Sequence, residues 1–322
     1  MHKVSIVIPL FNRKHLIGKT LDSLNKDLHP NTDLEIIVVD DGSTDGGDDF
    51  VEQNYPHVIL LRQKNQGAPV ARNLGLKQAS GDFLLWLDSD DLIEPDFFRP
   101  KIAVFQQFPE VSGVYGLWEH FEEMEDGTFK IEPRHSDYPV IELPETIQHL
   151  INLLSGWYVI PHAILWKTDV MKNVGGFLEG LSINQDVELM FKTLLNGLTI
   201  VSKPRLPKAL YRNHSQDSLG KINSAEKIND LYVLRLRFVE DLKSKGLWDN
   251  EMQFALAKYA FGIWMNYRKS FPKQAEEFYR LSRELGYKKI KNGSRFDETI
   301  SGFIGTKRTI LIKDFLKKIK EK

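Results

Sequence analysis

The chain has no cysteine among its 322 residues. Disulfides, thiolate metal ligands and a cysteine nucleophile are therefore excluded, and any chemistry must use oxygen and nitrogen groups. No apolar run approaches the roughly 18 residues that a membrane-spanning helix needs. The N-terminal "MHKVSIVIPLF" is followed at once by Asn12, Arg13 and Lys14, which end the apolar stretch too early for a secretion signal. Together these features predict a protein that stays in the cytoplasm.

An excess of charge of either sign is also missing, since 43 basic side chains face 44 acidic ones. The balance gives no general attraction to nucleic acid or to acidic lipid, so no nucleic-acid partner is predicted. The exception is the tail "TKRTILIKDFLKKIKEK", in which seven basic residues and an apolar stripe recur at helical spacing. Such a helix either lies on an anionic membrane surface or packs on the protein with its lysines in water.

Strand and helix patterns alternate up to about residue 118. The β-branched runs "VSIVIPL" and "LEIIVVD" lack a two-residue alternation, as expected for strands that are covered on both faces, and "VILLRQ", "FLLWLD" and "VSGVYG" repeat the signal. Helical patterns lie between them at residues 14–28, 68–79 and 95–108. This order predicts an α/β fold with a mostly parallel, doubly wound sheet, whose ligands bind beyond the carboxyl ends of the strands.

The second half of the chain is less regular. Residues 119–160 predict a hairpin or a long loop, residues 186–196 predict a helix that stops at Gly197, and residues 224–285 carry long amphipathic patterns. We place a domain boundary near residue 219, where the composition shifts toward helix-forming residues.

Two acidic clusters end predicted strands of the sheet. They are "VVDDGSTDGG" and "LWLDSDD", and they should lie at the same edge. In an extended segment the carboxylates of Asp88 and Asp90 would project to one side and could share a hard cation. The alternative is that these acids only end a strand and cap a helix. Asp41 in the other cluster could accept hydrogen bonds from a base or a ribose.

Four motifs stand in a characteristic order: "VSIVIPLFNR", "EIIVVDDGSTD", "NQGAPVARNLGLKQASGDFLLWLDSDD" and "VGGFLE…NQDVEL". Together they resemble the inverting family 2 glycosyltransferases with the GT-A fold, over roughly residues 3–215. The resemblance implies a GT-A catalytic domain at 1–218, with nucleotide-sugar binding at 1–118 and the acceptor side at 119–218. A helical C-terminal region at 219–322 would follow.

The resemblance also implies roles for single residues. Those that it assigns to the nucleotide-sugar are Pro9, Phe11, Asn12, Asp41, Arg72 and Asp88. Asp88 and Asp90 would form the D-x-D that meets ribose and a divalent metal, Mn²⁺ or Mg²⁺, with Asp91 adjacent. Such a metal stabilises the leaving diphosphate as a Lewis acid. Arg72 has an alternative reading as an ion-pair partner of the surrounding acids.

Asp186 is the implied catalytic base, which would take the proton from an attacking acceptor hydroxyl. On residue type alone it could equally be an acid in the first turn of a helix, where the helix dipole favours it. Many family members have Glu before this Asp, whereas this chain has Gln185, so a second acid is absent there.

Weaker candidates lie later in the chain. His214 could approach the metal or the diphosphate, although a lone histidine after a strand is often a surface residue. Trp157, Tyr158 and His162 fall where family 2 enzymes usually build the acceptor site, and aromatic faces suit sugar rings. Packing in the core is the alternative for these three.

Three functions compete. The first is a metal-dependent inverting glycosyltransferase of the hexosyltransferase type, using a nucleotide-diphosphate sugar, with a UDP-sugar favoured, and a glycan or lipid-linked acceptor in polysaccharide assembly. The second is a nucleotidyltransferase, which usually has a glycine-rich loop after its first strand, whereas this chain has "PLFNRKH". The third is a catalytically silent sugar-binding module, which would lack the base or the D-x-D. The predicted location is the cytoplasm, with contact at the inner membrane face if the tail binds lipid.

Overall fold

The computed structural model describes residues 2–124, 126, 128–132, 146–203, 205–213 and 222–287. The chain divides into two compact units, one ending at Leu247 and the other beginning at Trp248. The boundary predicted between residues 218 and 219 falls in the segment 214–221, outside the described residues, and stays a prediction. Within the described ranges, no helix is both long enough and apolar enough to cross a bilayer.

The strands alternate with helices along the first half of the chain. In chain order the strands are β1 (His2–Leu10), β2 (Thr32–Asp40), β3 (Ile59–Arg62), β4 (Phe83–Trp86), β5 (Leu92–Ile93), β6 (Val111–Tyr115), β7 (Trp118–Glu123), β8 (Phe129–Glu132), β9 (Ile164–Lys167), β10 (Thr199–Ser202) and β11 (Ala209–Arg212). The helices are α1 (Lys14–Asp22), α2 (Gly47–Asn54), α3 (Ala68–Gln78), α4 (Arg99–Gln107), α5 (Thr146–Leu154), α6 (Thr168–Val174), α7 (Gln185–Leu195), α8 (Ala225–Ser244), α9 (Asn250–Tyr267) and α10 (Pro272–Glu284).

The central sheet of the described residues has the order β10-β6-β9-β4-β1-β2-β3. Its neighbours pair in parallel except at β9, which runs antiparallel to both β4 and β6. The predicted α/β fold with a mostly parallel sheet is therefore confirmed. The reversed strand has a consequence for function, because its amino end lies at the edge where its neighbours have their carboxyl ends.

Burial on both faces explains the apolar runs in the centre of the sheet. Ile6, Val7 and Ile8 are successive residues of β1, and all three are fully buried. Helix α3 packs closely on one face of the sheet: a Cβ added at Gly75 would lie only 2.3 Å from Cγ1 of Val7. Glycine at this position lets the helix approach the sheet.

Two predicted helices are shorter than their periodicity suggested. Helix α1 ends at Asp22 rather than at residue 28, and a separate 3₁₀ turn follows at Lys26–Leu28, with Asn25 accepting a hydrogen bond at its start. Helix α4 begins at Arg99 rather than at residue 95, because Asp96 has a φ of 56°, in the left-handed region. The predicted helices at 68–79 and 186–196 are confirmed within one residue at each end as α3 and α7.

A smaller sheet has the strand order β5-β11-β7-β8, and its strands β7 and β8 come from the irregular middle region of the chain. Strands β7 and β8 pair antiparallel as a hairpin, which agrees with the hairpin predicted within residues 119–160. Helix α5 was not predicted, and residues 133–145 lie outside the described part of the chain. Strand β11 joins β7 in parallel and β5 antiparallel, so residues after 208 return to the segment that follows β4.

Candidate functional site

A cavity of about 760 Å³ lies in the first compact unit. Three of its wall segments follow the carboxyl ends of β1, β2 and β4, where such sheets bind ligands. Further lining residues are 158, 160 and 161, which precede the reversed strand β9, and 182–186 at the start of α7. The sequence-predicted donor residues and the predicted base thus border one space.

The donor side of the cavity is built by cross-links between strand ends. Asn12 has a φ of 51°; its N–H donates to Ser43 Oγ at 3.0 Å, and its Oδ1 accepts from the N–H of Thr44 at 2.8 Å. These bonds tie the end of β1 to the turn after β2. Pro9 and Phe11 line the cavity beside it, and Phe11 is 44% exposed, a large apolar surface left open toward a ligand.

Asp41 also lines the cavity and is almost completely buried. Its Oδ1 accepts from Gln63 Nε2 at 2.7 Å and from the N–H of Gln66 at 2.8 Å, and its Oδ2 accepts from the N–H of Gly67 at 2.8 Å. The loop before α3 therefore fixes the carboxylate. Each oxygen has two lone pairs, so Oδ2 keeps one for a ligand, and the predicted contact with a base stays a prediction.

Arg72 links two segments that line the cavity. Its Nη2 donates to Asp88 Oδ1 at 2.5 Å, its Nη1 donates to Gln185 Oε1 at 3.1 Å, and its guanidinium lies 5.0 Å from the ring centroid of Phe177. The position of Arg72 is compatible with both roles considered from the sequence, because it lines the cavity and also forms an ion pair with Asp88. Gln185 holds this arginine through a neutral oxygen at the place where many family members carry Glu.

The D-x-D segment is a turn, so the extended geometry expected from its spacing is wrong. The N–H of Asp91 donates to the carbonyl of Asp88 at 3.2 Å. The alternating side-chain directions of a strand do not apply in such a turn. Asp88 pairs with Arg72, whereas Asp90 Oδ2 lies 3.4 Å from Nε of Arg13.

Asp91 turns inward and meets a buried histidine. Its Oδ1 accepts from the backbone N–H of Arg212 at 2.7 Å, and its Oδ2 lies 3.4 Å from Nδ1 of His162. Burial, with the neighbouring Asp90 and Asp88, raises the pKa of Asp91 well above its usual value. Burial lowers the pKa of His162 to about 4, so its imidazole is neutral at pH 7.

Asp88, Asp91 and His162 together offer a set of metal ligands. One ligand atom from each lies within 4.8 Å of the others. Among the described residues, Asp91 Oδ2 and both ring nitrogens of His162 are buried without a hydrogen-bond partner. Two carboxylates and a neutral imidazole suit a divalent cation such as Mn²⁺, so the residues present fit a metal. The carboxylate of Asp90 is not one of these three ligands.

Asp186 lies in the first turn of α7, which begins at Gln185 after the N-cap residue Asn184, and Asn184 has a φ of 58°. Its half-buried side chain lines the cavity. Burial is the main cause that raises its pKa to about 6, against the lowering effect of backbone N–H groups at the helix start. A carboxylate with this pKa is ionised at pH 7 and is more basic than an ordinary aspartate, as a general base requires.

The three predicted acceptor residues occupy different places. Tyr158 lines the cavity and is 40% exposed. Trp157 packs against Tyr115 and His149, with ring centroids 6.0 and 5.8 Å away, and it is not part of the cavity wall. His162 has no exposed surface and lies behind the wall. His214 is outside the described residues.

Sequence reasoning missed several lining residues, among them Arg13, His120 and Tyr211. The ring of Tyr211 lies parallel to that of His162 with centroids 6.2 Å apart, and it meets His120 edge-on at 5.1 Å. Burial and the nearby acids raise the pKa of Tyr211, so its phenol stays neutral. Arg13 lies three residues after the end of β1, and the rule that ligands bind at strand ends could have indicated it.

A model of the family described as glycosyl transferase family 2 matches residues 5–169, just over half of the chain. An uncharacterized glycosyltransferase of Haemophilus influenzae is 26% identical over 256 residues, which cover 79% of this chain and 83% of that protein. A poly(ribitol-phosphate) beta-glucosyltransferase of Bacillus spizizenii is 46% identical over 96 residues, 28% of this chain and 15% of that protein. In two other curated relatives, the aligned region spans only 58% and 29% of the relative's length.

The fold has a counterpart among solved structures. The crystal structure of residues 1–349 of Staphylococcus aureus TarS, in complex with UDP-GlcNAc, superposes with a TM-score of 0.64 and 19% identity. The match covers 88% of this chain and 81% of the TarS chain. The likeness shows the GT-A fold predicted from the sequence. With the family match, it follows that the chain belongs to glycosyl transferase family 2 and is a glycosyltransferase.

Proposed function

We propose that this glycosyltransferase is inverting and metal-dependent, and that it transfers a sugar from a UDP-sugar to a hydroxyl group of a cell-surface polymer. The structurally similar TarS is complexed with UDP-GlcNAc, which supports the choice of donor. The Bacillus spizizenii relative is named for poly(ribitol-phosphate), which supports a polymer acceptor. A glycan or lipid-linked acceptor would place the reaction in the cytoplasm at the inner membrane face.

The presence of Asp186 in the same cavity lining as Asp88 carries this proposal. In an inverting transfer, the acceptor oxygen bonds to the anomeric carbon as the bond from that carbon to the diphosphate oxygen breaks. The acceptor must then lose its proton on the face opposite the leaving group. Asp186 takes that proton, while Arg72 keeps the start of α7 in register with Asp88 through Gln185.

The charge of the cavity supports a role for a divalent cation. Among the described lining residues, the arginines are Arg13 and Arg72. Even without Asp91, whose raised pKa favours the neutral form, the lining acids outnumber them and are Asp41, Asp88, Asp90 and Asp186. A diphosphate adds further negative charge, which these two arginines do not balance. Asp88, Asp91 and His162 would hold the cation, which supplies Lewis-acid stabilisation of the leaving diphosphate when bound.

A donor screen tests the proposal. We expect UDP-sugars to raise the melting temperature in the presence of Mn²⁺ or Mg²⁺ and to lose this effect when EDTA is added. With the stabilising donor and a polyol-phosphate or glycan acceptor, we expect release of UDP and a product whose anomeric configuration is inverted by NMR. A retained configuration would refute the inverting mechanism. Transfer of the uridylyl group to the acceptor with release of the sugar 1-phosphate would indicate a nucleotidyltransferase, and donor binding without turnover would indicate a binding module.

A further inference from the structure

Arg13 combines a fixed backbone with an open side chain. Its carbonyl accepts from the N–H groups of Leu16 and Ile17 at 2.9 and 3.0 Å, which anchors it at the start of α1. Its side chain lines the cavity and is 35% exposed, whereas that of Arg72 is only 7% exposed. The guanidinium of Arg13 is therefore held at the donor wall and is still accessible to a ligand.

The contacts of Arg13 use little of its hydrogen-bonding capacity. Its Nε lies 3.4 Å from Asp90 Oδ2, and its Nη1 lies 3.4 Å from the carbonyl of Asn12. Both distances are long for a charge-assisted hydrogen bond, which normally measures about 2.7–2.9 Å. A guanidinium has five N–H donors in a planar fork that matches two oxygens of a phosphate. Arg72, by contrast, makes a contact of 2.5 Å with Asp88.

Asp90 does not depend on Arg13 for its position. Its carbonyl accepts from Nε of Arg212 at 2.8 Å, and the next residue, Asp91, accepts from the backbone N–H of Arg212. The turn is thus fastened to β11 by contacts that do not involve Arg13. A ligand can therefore replace Asp90 as the partner of Arg13 without dismantling the turn.

We infer that Arg13 is a diphosphate-binding residue, which exchanges its long contact with Asp90 for oxygens of the donor diphosphate. The inference rests on the proposed nucleotide-diphosphate donor and adds a second cationic contact to it beside Arg72. If Asp88, Asp91 and His162 hold a divalent cation, its positive charge would favour the exchange, because it would repel the guanidinium and attract phosphate oxygens. Arg13 then serves to distinguish donors with a diphosphate from nucleosides that lack one.

Calorimetry with Mn²⁺ present tests this inference with UDP, uridine and inorganic pyrophosphate as ligands. We expect Arg13→Gln to weaken the binding of UDP and pyrophosphate by about ten- to a hundredfold, the loss typical of a charge-assisted hydrogen bond, and to leave uridine unchanged. Arg13→Lys should retain part of the affinity, because it keeps the charge but not the fork. Arg62→Gln is the matched control, since Arg62 pairs with Asp48 and Glu52 away from the cavity.

Unchanged binding of UDP and pyrophosphate by Arg13→Gln would overturn the inference, as would an equal loss for uridine. A second comparison separates direct contact from an effect through Asp90. If Arg13 touches the diphosphate, Arg13→Gln still weakens pyrophosphate binding in an Asp90→Asn protein, and loss of the effect there overturns the inference. A wild-type protein that binds pyrophosphate but not UDP would refute the proposed donor alone, because the pyrophosphate comparison still decides the role of Arg13.

Discussion

The substitution Asp186→Asn should stabilise the protein while removing its catalysis. Burial raises the pKa of Asp186 from an ordinary 3.8 to about 6. Below pH 3.8 the carboxyl group is protonated in both the folded and the unfolded chain. As the pH rises toward 6, the unfolded chain loses this proton first, so folding stability falls, and above pH 6 the full cost remains. Asparagine stays neutral throughout and keeps an oxygen that can accept from the helix N–H groups.

The two pKa values set the size of the effect. The stability advantage of Asp186→Asn should be about 1.6 kcal/mol at pH 5 and about 3 kcal/mol at pH 7, since each pKa unit is worth about 1.4 kcal/mol. Urea unfolding at the two pH values measures it. Asp169→Asn is a matched control, because Asp169 lies in the first turn of α6 and its Oδ1 accepts from the N–H of Val170, but its side chain is exposed. The gain in stability from Asp186→Asn should exceed that from this control at both pH values, because the side chain of Asp169 is exposed.

Kinetics provide the second half of the same test. Turnover by Asp186→Asn should fall by about 10²- to 10⁴-fold, the usual effect of removing a general base, with donor affinity unchanged. Wild-type turnover should decline as the pH is lowered through about 6, because protonated Asp186 cannot accept a proton. A variant that is no more stable than the wild type at pH 7 would refute the burial argument. Preserved turnover would refute the assignment of the base.

Further predictions concern the metal, the packing of the fold and the tail. We expect His162→Gln to weaken Mn²⁺ binding by at least about tenfold in calorimetry. If His162→Gln leaves the Mn²⁺ affinity unchanged and only Asp90→Asn loses metal-dependent UDP binding, the metal ligands are instead Asp88 and Asp90, as predicted from the sequence. Gly75→Ala should lower the free energy of unfolding, measured in urea, by about 1–3 kcal/mol, because the added Cβ would collide with Val7 of β1. Gly262→Ala, in a helix with open space around this position, should raise it by up to about 1 kcal/mol. Equal effects of the two substitutions would contradict the packing argument. The full chain should co-sediment with anionic vesicles at low salt, release as salt rises, and lose binding when truncated after Gly305; an unstable truncated protein, with no vesicle binding by the full chain, would show that the tail packs on the protein.

The central strands and the acidic residues at their carboxyl ends could be predicted because short stretches of sequence indicate them. The run "VSIVIPL" has no polar alternation since β1 is covered on both faces, and the acids after β2 and β4 follow from the direction of parallel strands. The positions of Asp41, Asp88 and Asp186 around one cavity agree with what the motifs implied. Their chemical roles stay predictions until the variants are measured.

The features of the fold and the site that could not be predicted depend on contacts between residues far apart in the chain, or on the backbone angles of single residues. The pairing of Asp91 with His162 requires the reversed strand β9, whose four residues carry no sign of direction in their sequence. The turn at residues 88–91 and the left-handed Asp96 are choices of individual φ and ψ angles, which hydrophobic periodicity does not report. Arg13 was missed as a site residue because the resemblance assigned roles to Pro9, Phe11 and Asn12 in the same motif but none to Arg13.

The insertion of β9 between β4 and β6 also affects how the chain is made. Neither of these strands can complete its pairing until β9 exists, and 78 residues separate Trp86 from Ile164. At a synthesis rate of about 5–20 residues per second, the edge of β4 waits about 4–16 s for its partner. An apolar strand with an open edge can pair with other chains during that time. The late position of β9 in the chain thus leaves the inner edge of β4 open to such pairing until about residue 167 has been synthesised.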